Sequence, residues 1–286
     1  MSPTWLQIII LALLQGAAEL LPVSSSAHVI LAEKLMGLDP AQPAMTFLLV
    51  MLHAGTMLAV IVYFWRAWHE SYFSSVERFL SNLPSLLVAT GITVVIGFAL
   101  KLLIEKVVLG GGAKAEVEQL FSNLTLVGAA LAAAGVLIIV SGRAAQPVAD
   151  PEISLSTSGW IGFVQALCLP FRGFSRSGAT ISTAMLLGIG RRRAEEFSFA
   201  LAVILTPPLI LIELQRLLKV NSTAADPVDL TSLLLPGLVG MVGSLLSGLL
   251  ALRLLSNWLE SGKWPYFGYY CLALAAVVFS LAYAGY

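Results

Sequence analysis

Close to the N-terminus, a carboxylate, an imidazole and three hydroxyls fall within one short stretch, Gln15-Gly-Ala-Ala-Glu19-Leu-Leu-Pro22-Val-Ser24-Ser25-Ser26-Ala-His28. Gln15 and Glu19 are four residues apart, so on a helix they share a face, and Ser25 and His28, three apart, do the same. Pro22 and the serines mark a break. Ser24 or Ser25 could cap a helix starting after Pro22, leaving its free N–H groups aimed at a cavity. A carboxylate can hold a divalent ion or a proton, and Ser or His can attack phosphorus or move a proton. An N-cap and a satisfied histidine would explain the serines and His28 taken singly. They do not explain why Glu19 and His28 also lie in apolar surroundings.

A second stretch, Arg172-Gly173-Phe174-Ser175-Arg176-Ser177-Gly178-Ala179-Thr180, carries two guanidiniums among hydroxyls, between apolar flanks. Arginine presents a planar fork of donors that matches phosphate oxygens. With Ser175, Ser177 and Thr180 at a glycine-eased helix start, the stretch reads as an anion cradle rather than a charged loop. Neither a glycine-rich dinucleotide fingerprint nor a P-loop is present, so NAD or ATP chemistry is not indicated. The two stretches together suit a phosphoryl group held in a membrane, on a lipid phosphate or pyrophosphate.

The membrane follows from composition. Of 286 residues, 58% are apolar types and 11% are charged, with a mean hydropathy of +0.90. A soluble domain carries about 25% charged residues. A soluble enzyme, a disordered chain and a nucleic-acid binder are therefore excluded; the net charge of zero offers no basic field to DNA or RNA. The cysteines, Cys168 and Cys271, sit in apolar stretches and read as buried thiols. Residues 1–18 lack the Lys or Arg of a signal-peptide n-region and are kept as part of the fold.

Six apolar segments reach the roughly 20 residues needed to cross a bilayer: 44–65, 83–104, 119–142, 197–218, 230–252 and 264–284. Four shorter ones, 5–18, 20–33, 156–170 and 177–190, form two pairs, each interrupted by Pro, Ser, Gly or a charge. A polar break at membrane depth is tolerated only where it lines an enclosed or wet cavity, so each pair reads as a re-entrant hairpin. The ionisable residues outside loops and span ends are Glu19, His28, His53, Arg172 and Arg176, and all but His53 fall in the hairpins. A charge at a helix centre costs about 2.5–3.5 kcal/mol on insertion scales, which marks such residues as functional. His53, within 44–65, reads as a hydrogen-bonded core histidine or as a residue lining the cavity.

The segment order, a short pair and then three long spans, occurs twice. The chain is thus an all-α polytopic membrane protein of one domain, residues 1–286, with repeats over about 1–145 and 146–286. Gln15 and Ser25 are ten residues apart, as are Gln165 and Ser175. An odd number of spans per half inverts the second copy, which brings the broken helices together near the midplane. With the N-terminus outside, the inner loops hold Arg66, Arg78, Arg143, Arg191, Arg192, Arg193, Arg253 and Lys263. The outer side then holds Lys34, Lys101, Lys106, Lys114, Arg216 and Lys219, a positive-inside bias carried by Arg191–Arg193. Glycines such as Gly97, Gly128, Gly135, Gly237, Gly240, Gly243 and Gly248 are expected to seat close helix packing. Trp65, Trp68, Trp160, Trp258 and Trp264 are expected as interfacial anchors.

These motifs resemble the undecaprenyl pyrophosphate phosphatase (bacitracin-resistance protein) family over nearly the whole chain. The family's (Glu/Gln)-x-x-x-Glu and Pro-x-Ser-Ser-x-x-His correspond to Gln15–Glu19 and Pro22–His28. Its Pro-Gly-x-Ser-Arg-Ser-Gly-x-Thr corresponds to Arg172–Thr180; the segments from His53 to Val60 and from Arg193 to Val203 are also similar. The resemblance implies hydrolysis of undecaprenyl pyrophosphate to the monophosphate and inorganic phosphate. That recycles the lipid carrier for peptidoglycan and other wall polymers and affects bacitracin resistance. It also implies an inverted repeat with two re-entrant hairpins, a bacterial inner-membrane location, an active site facing the periplasm or outside, and a divalent cation (Mg or Ca). Glu19 would hold the metal or act as acid and base, Ser25 or His28 would attack phosphorus, and Arg176 would clamp the pyrophosphate. Gln15, Ser24, Ser26, Arg172, Ser175, Ser177 and Thr180 would bind substrate.

Two positions depart from the family pattern. Gln15 stands where many members have Glu; its carbonyl can ligate a metal but it cannot serve as a base. Arg172 stands where the family has Pro, with Pro170 two residues earlier. The competing function is a transporter or flippase of polyprenyl phosphate, or a dual role, since broken helices in inverted repeats are common in transporters. Binding alone needs no nucleophile beside an acid, which favours the phosphatase. A homodimer is one assembly open to such a chain.

Overall fold

The computed structural model describes residues 3–39, 42–110, 120, 123–144, 152–223 and 229–284. The regular secondary structure of the described residues is all helical, with α1 (Trp5–Leu20), α2 (Ser25–Leu35), α3 (Pro43–Trp68), α4 (Val76–Leu103), α5 (Leu124–Ala144), α6 (Leu155–Cys168), α7 (Arg176–Leu186), α8 (Arg191–Thr223), α9 (Leu230–Glu260) and α10 (Pro265–Tyr283). A π-helical turn extends α3 over His69–Phe73 and another extends α4 over Ile104–Val108. Six stretches are long and apolar enough to cross a membrane: Pro43–Phe73, Val76–Val108, Leu124–Ala144, Arg191–Lys219, Thr231–Glu260 and Pro265–Tyr283. The chain is accordingly a multi-pass α-helical membrane protein. At a rise of about 1.5 Å per residue, the 16 residues of α1, 14 of α6 and 11 each of α2 and α7 fall short of a hydrocarbon core about 30 Å thick.

The helix ends differ from the hydropathy reading in instructive ways. The expected segment 20–33 begins instead at Ser25, because Leu21–Ser24 form a turn: Val23 N–H donates to Leu21 O at 2.8 Å and Ser24 takes φ 65°. The expected segment 177–190 ends at Leu186 in a Schellman cap, with Gly188 at φ 86° and Ile189 N–H donating to Ala184 O at 3.0 Å. At α8 the helix starts at Arg191, before the apolar stretch at 197, because its polar first turns find partners of their own. The repeat boundary near 145 and Lys114 lie outside the described residues.

The described chain forms two units, each with its own packing. One comprises α1, α2, α3 to Trp65, and residues Ala202–Leu255 of α8 and α9. Its core gathers Ile8, Leu11, Ala12, Val29, Met45, Leu48 and Leu52. Small residues bring α9 onto α1 and α3: a Cβ on Gly16 would lie 2.6 Å from Ser244 O, and one on Gly55 would collide with Met241 O. Ser244 Oγ donates to Leu52 O at 2.9 Å and Ser247 Oγ to Leu13 O at 2.8 Å, hydrogen bonds of the kind that fasten helices where water is absent.

The second unit comprises Leu21–Ser24, Arg66–Leu201 and the chain from Ser256. Its α5 and α10 touch backbone to backbone, since a Cβ on Gly135 would lie 2.8 Å from Gly268 O and one on Gly268 2.6 Å from Gly135 O. Helices α4 and α6 meet at Gly162, which abuts the Ala89 backbone, and Thr93 Oγ1 donates to Gly162 O at 3.0 Å. Two expected interfacial tryptophans are packed inside this unit instead. Trp264 is fully buried with its indole N–H shared between Ser141 Oγ (3.1 Å) and Ser182 Oγ (3.2 Å), and the Trp68 N–H donates to Glu196 O at 3.1 Å. Their N–H groups found protein acceptors, which removes the need for a wet headgroup layer. Trp65 and Trp160 are exposed, and Trp258 is half-buried.

Candidate active site

The first cluster lies where α1 ends and α2 begins. Gln15 is buried in the last turns of α1, one turn before half-buried Glu19, as their spacing requires. Gln15 Nε2 donates to Glu19 Oε2 at 3.3 Å, and Ser25 Oγ, the first residue of α2, donates to the same oxygen at 2.5 Å. One carboxylate oxygen thus accepts from an amide and a hydroxyl, the second at the length of a strong hydrogen bond. His28 and Ser26 are half-buried on α2, with His28 one turn after Ser25. Ser24 is buried in the turn at φ 65°, a left-handed conformation that costs a non-glycine residue about 1–2 kcal/mol. Strain of this sort concentrates where a side chain must be aimed. His53, in α3, is half-buried and places Nδ1 2.8 Å from Leu49 O.

The second cluster is the loop from α6 into α7. Gly173 sits at φ 104°, and a Cβ there would lie 2.5 Å from Val127 O, so the loop can lie on α5 only as glycine. Ser175 caps α7, accepting from Gly178 N–H at 3.3 Å. Gly178 leaves room for close neighbours: its Cβ would stand 2.9 Å from Ile138 Cδ1 and 3.1 Å from Pro22 Cβ. Ser177 Oγ donates to Leu21 O at 3.5 Å and lies 3.5 Å from Ser175 Oγ. The Leu21–Ser24 turn therefore rests on the first turn of α7. From the other side, the Cys271 thiol donates to Pro22 O at 3.2 Å. Cys168 and Cys271 are both free thiols.

Arg172 and Arg176 are half-buried, one in the loop and one opening α7. The Arg176 guanidinium lies over the Phe199 ring, 5.7 Å from its centroid. Thr180 is fully buried. Its hydroxyl is 2.8 Å from Arg176 O and 2.6 Å from Ser198 Oγ, so it faces the α7 backbone and α8. Sequence reasoning did not single out Ser198 or Phe199; inside an apolar span, Phe197-Ser198-Phe199 looks like ordinary core.

Sequence reasoning also placed every acid except Glu19 in loops or at span ends, whereas Glu33, Glu195 and Glu196 are 2%, 3% and 4% exposed. Two of them are buried because neighbours satisfy them. Ser256 Oγ donates to Glu195 Oε1 at 2.7 Å. Glu196 pairs with Arg192 Nε at 3.0 Å and Arg193 at 3.5 Å. Arg193 also donates to Asn82 Oδ1 at 2.7 Å and stacks 4.9 Å from the Tyr72 ring centre, tying the start of α8 to α4 and the π turn after α3.

Among the described residues no group of three or more His, Cys, Asp or Glu could cage a metal. Glu19 with the Gln15 amide and Ser25 is instead a set of hard oxygen donors. It suits a cation of the magnesium type, which keeps waters and uses a single carboxylate plus substrate phosphates.

The model of the family described as "Bacitracin resistance protein BacA" matches residues 8–277. The chain is 60% identical over 279 residues to a protein named undecaprenyl-diphosphatase 2 from Acinetobacter baylyi, covering 97% of this chain and 98% of that one. It is 34% identical over 278 residues to an undecaprenyl-diphosphatase of Desulfosudis oleivorans (95% and 96% covered). It is 32% identical over 284 residues to one of Bacteroides fragilis (96% of each).

Proposed function

Since the chain belongs to the Bacitracin resistance protein BacA family, we propose that it is an undecaprenyl-diphosphatase. It hydrolyses undecaprenyl pyrophosphate to undecaprenyl phosphate and inorganic phosphate in a bacterial membrane. The product is the lipid carrier in the form that wall-polymer synthesis reuses, and the activity bears on bacitracin resistance. The observation that carries the chemistry is the Ser25 hydroxyl donating to Glu19 Oε2 at 2.5 Å, a nucleophile within reach of its base.

In this reading Glu19 takes the Ser25 proton as Oγ attacks the terminal phosphorus. The bond from that phosphorus to the bridging oxygen breaks, and undecaprenyl phosphate leaves. Water, deprotonated by His28, then attacks the phosphorus on Ser25; the P–Oγ bond breaks, Glu19 returns its proton to Oγ, and inorganic phosphate leaves. His28, one turn along α2, moves protons between leaving group and solvent. Gln15 fixes the Glu19 carboxylate by donating to the oxygen that Ser25 also reaches. Arg176 clamps the pyrophosphate, Arg172 adds charge, and Ser24, Ser26, Ser175 and Ser177 contribute donors. Glu19 and the Gln15 carbonyl would hold a divalent cation, which would neutralise pyrophosphate charge. Thr180 serves from behind by holding the Arg176 backbone.

The short pairs α1–α2 and α6–α7 are re-entrant hairpins in this reading, and the two halves are inverted copies. Their order, lengths and the polar breaks at Leu21–Ser24 and Leu169–Ser175 support it. The positive-inside bias supports an N-terminus outside, and the family resemblance supports a site open to the outer face.

The test is phosphate release from undecaprenyl pyrophosphate by purified protein in detergent, with Mg2+ or Ca2+ and with EDTA. Cation-dependent turnover lost in Glu19→Ala and reduced to a small, measurable residue in Arg176→Ala is the expected result. A folded wild-type protein that binds the lipid without releasing phosphate would overturn the proposal and leave a transporter.

A further inference from the structure

The pair Ser198–Phe199 of α8 has no part in the chemistry above, yet both residues bear on Arg176. Phe199 is fully buried and Ser198 is 1% exposed. The Arg176 guanidinium rests over the Phe199 ring at 5.7 Å, while the neighbouring Ser198 hydroxyl meets Thr180 Oγ1 at 2.6 Å. Thr180 Oγ1 in turn reaches Arg176 O at 2.8 Å. One end of the arginine is thus held through its carbonyl and the other through the face of an aromatic ring. Consecutive residues of a single helix supply both supports.

We infer that Phe199, with Ser198, is a positioning residue that fixes the Arg176 guanidinium for the pyrophosphate. The inference rests on the clamp role proposed for Arg176. An arginine side chain has several rotors and loses their freedom when it must meet a phosphate in one geometry. A ring beneath it attracts the cation through its quadrupole and blocks rotamers that would swing the fork away. An aliphatic side chain of similar bulk would fill the same space without orienting the charge. The ring engages the guanidinium through its face and not by a hydrogen bond. The electrostatic attraction is present before substrate arrives, so the ordering is done in advance of binding.

The test is a double-mutant cycle in the phosphate-release assay, with inorganic pyrophosphate as competing inhibitor and thermal unfolding in detergent as the check on folding. Phe199→Leu should lower kcat/KM about tenfold and weaken inhibition by pyrophosphate in proportion. Phe199→Tyr should keep both within about twofold, because it keeps the ring. In an Arg176→Ala background, Phe199→Leu should change nothing further. Equal losses from Phe199→Leu with and without Arg176 would assign the residue to packing and overturn the inference, as would unaltered pyrophosphate inhibition. If Arg176→Ala itself leaves turnover at the wild-type level, the clamp reading fails, and the positioning role fails with it. Should Phe199→Leu not fold, Phe199→Met takes its place in the cycle, since its flexible chain fills the same volume without a ring.

Discussion

Ser25 Oγ and Glu19 Oε2 stand 2.5 Å apart across a turn that separates two helices. The hydroxyl and its acceptor are thus preassembled by the backbone. Glu19→Gln keeps the shape and removes the base, and should lower kcat by about two to four orders of magnitude. Ser25→Ala should cost about as much. The double variant should be no worse than either single one, because the two act as a unit. Steady-state phosphate release from the three proteins decides this; losses that multiply would separate the roles.

Gln15 Nε2 donates to the same carboxylate oxygen at 3.3 Å. Gln15→Glu should bring two carboxylates onto one helix face and strengthen cation binding. The expected outcome is half-maximal activity at a lower Mg2+ concentration than in the wild type. A titration curve that does not shift would remove Gln15 from the cation site.

Gly173 combines φ 104° with a 2.5 Å approach to Val127 O. Gly173→Ala must strain the backbone and push the loop off α5. A loss of about 1–3 kcal/mol of stability is expected, together with weaker pyrophosphate inhibition because Arg172 and Arg176 flank the displaced loop. Thermal unfolding and the inhibition constant measure the two effects separately.

Arg193 is an example of a charge buried for structure. It bonds Asn82, pairs with Glu196 and covers Tyr72. Arg193→Ala should lower stability by about 3 kcal/mol, because the Glu196 carboxylate loses one of its partners while remaining buried. Once folded, the variant should keep the wild-type KM. A raised KM with unaltered unfolding temperature would connect this cluster to the substrate instead.

The six spans were legible because bilayer thickness sets a length and the chain meets it six times. The first cluster was legible because Gln15 and Glu19 have helical spacing and a carboxylate is rare in such surroundings. What hydropathy could not show was where polar residues continue a helix. Arg191 to Glu196 look like a loop until Ser256, Asn82 and Tyr72, distant in sequence, are brought against them. Phe199 stayed hidden for the opposite reason: an aromatic in an apolar run carries no sign that a guanidinium lies on it. Trp264 misled because span-end position suggests an interface, while Ser141 and Ser182 give its N–H a dry destination.

The meeting of Gly135 and Gly268 has a bearing on how this protein can change over generations. Each glycine faces the other's carbonyl oxygen, with 2.8 Å and 2.6 Å left for a Cβ. Every missense change at either codon adds that carbon, and no compensating change at the partner codon can remove a backbone oxygen. The two positions therefore cannot drift in tandem as a pair of facing side chains can. Divergence of α5 and α10 is confined to their other faces, and the seam between them is inherited as it stands or lost.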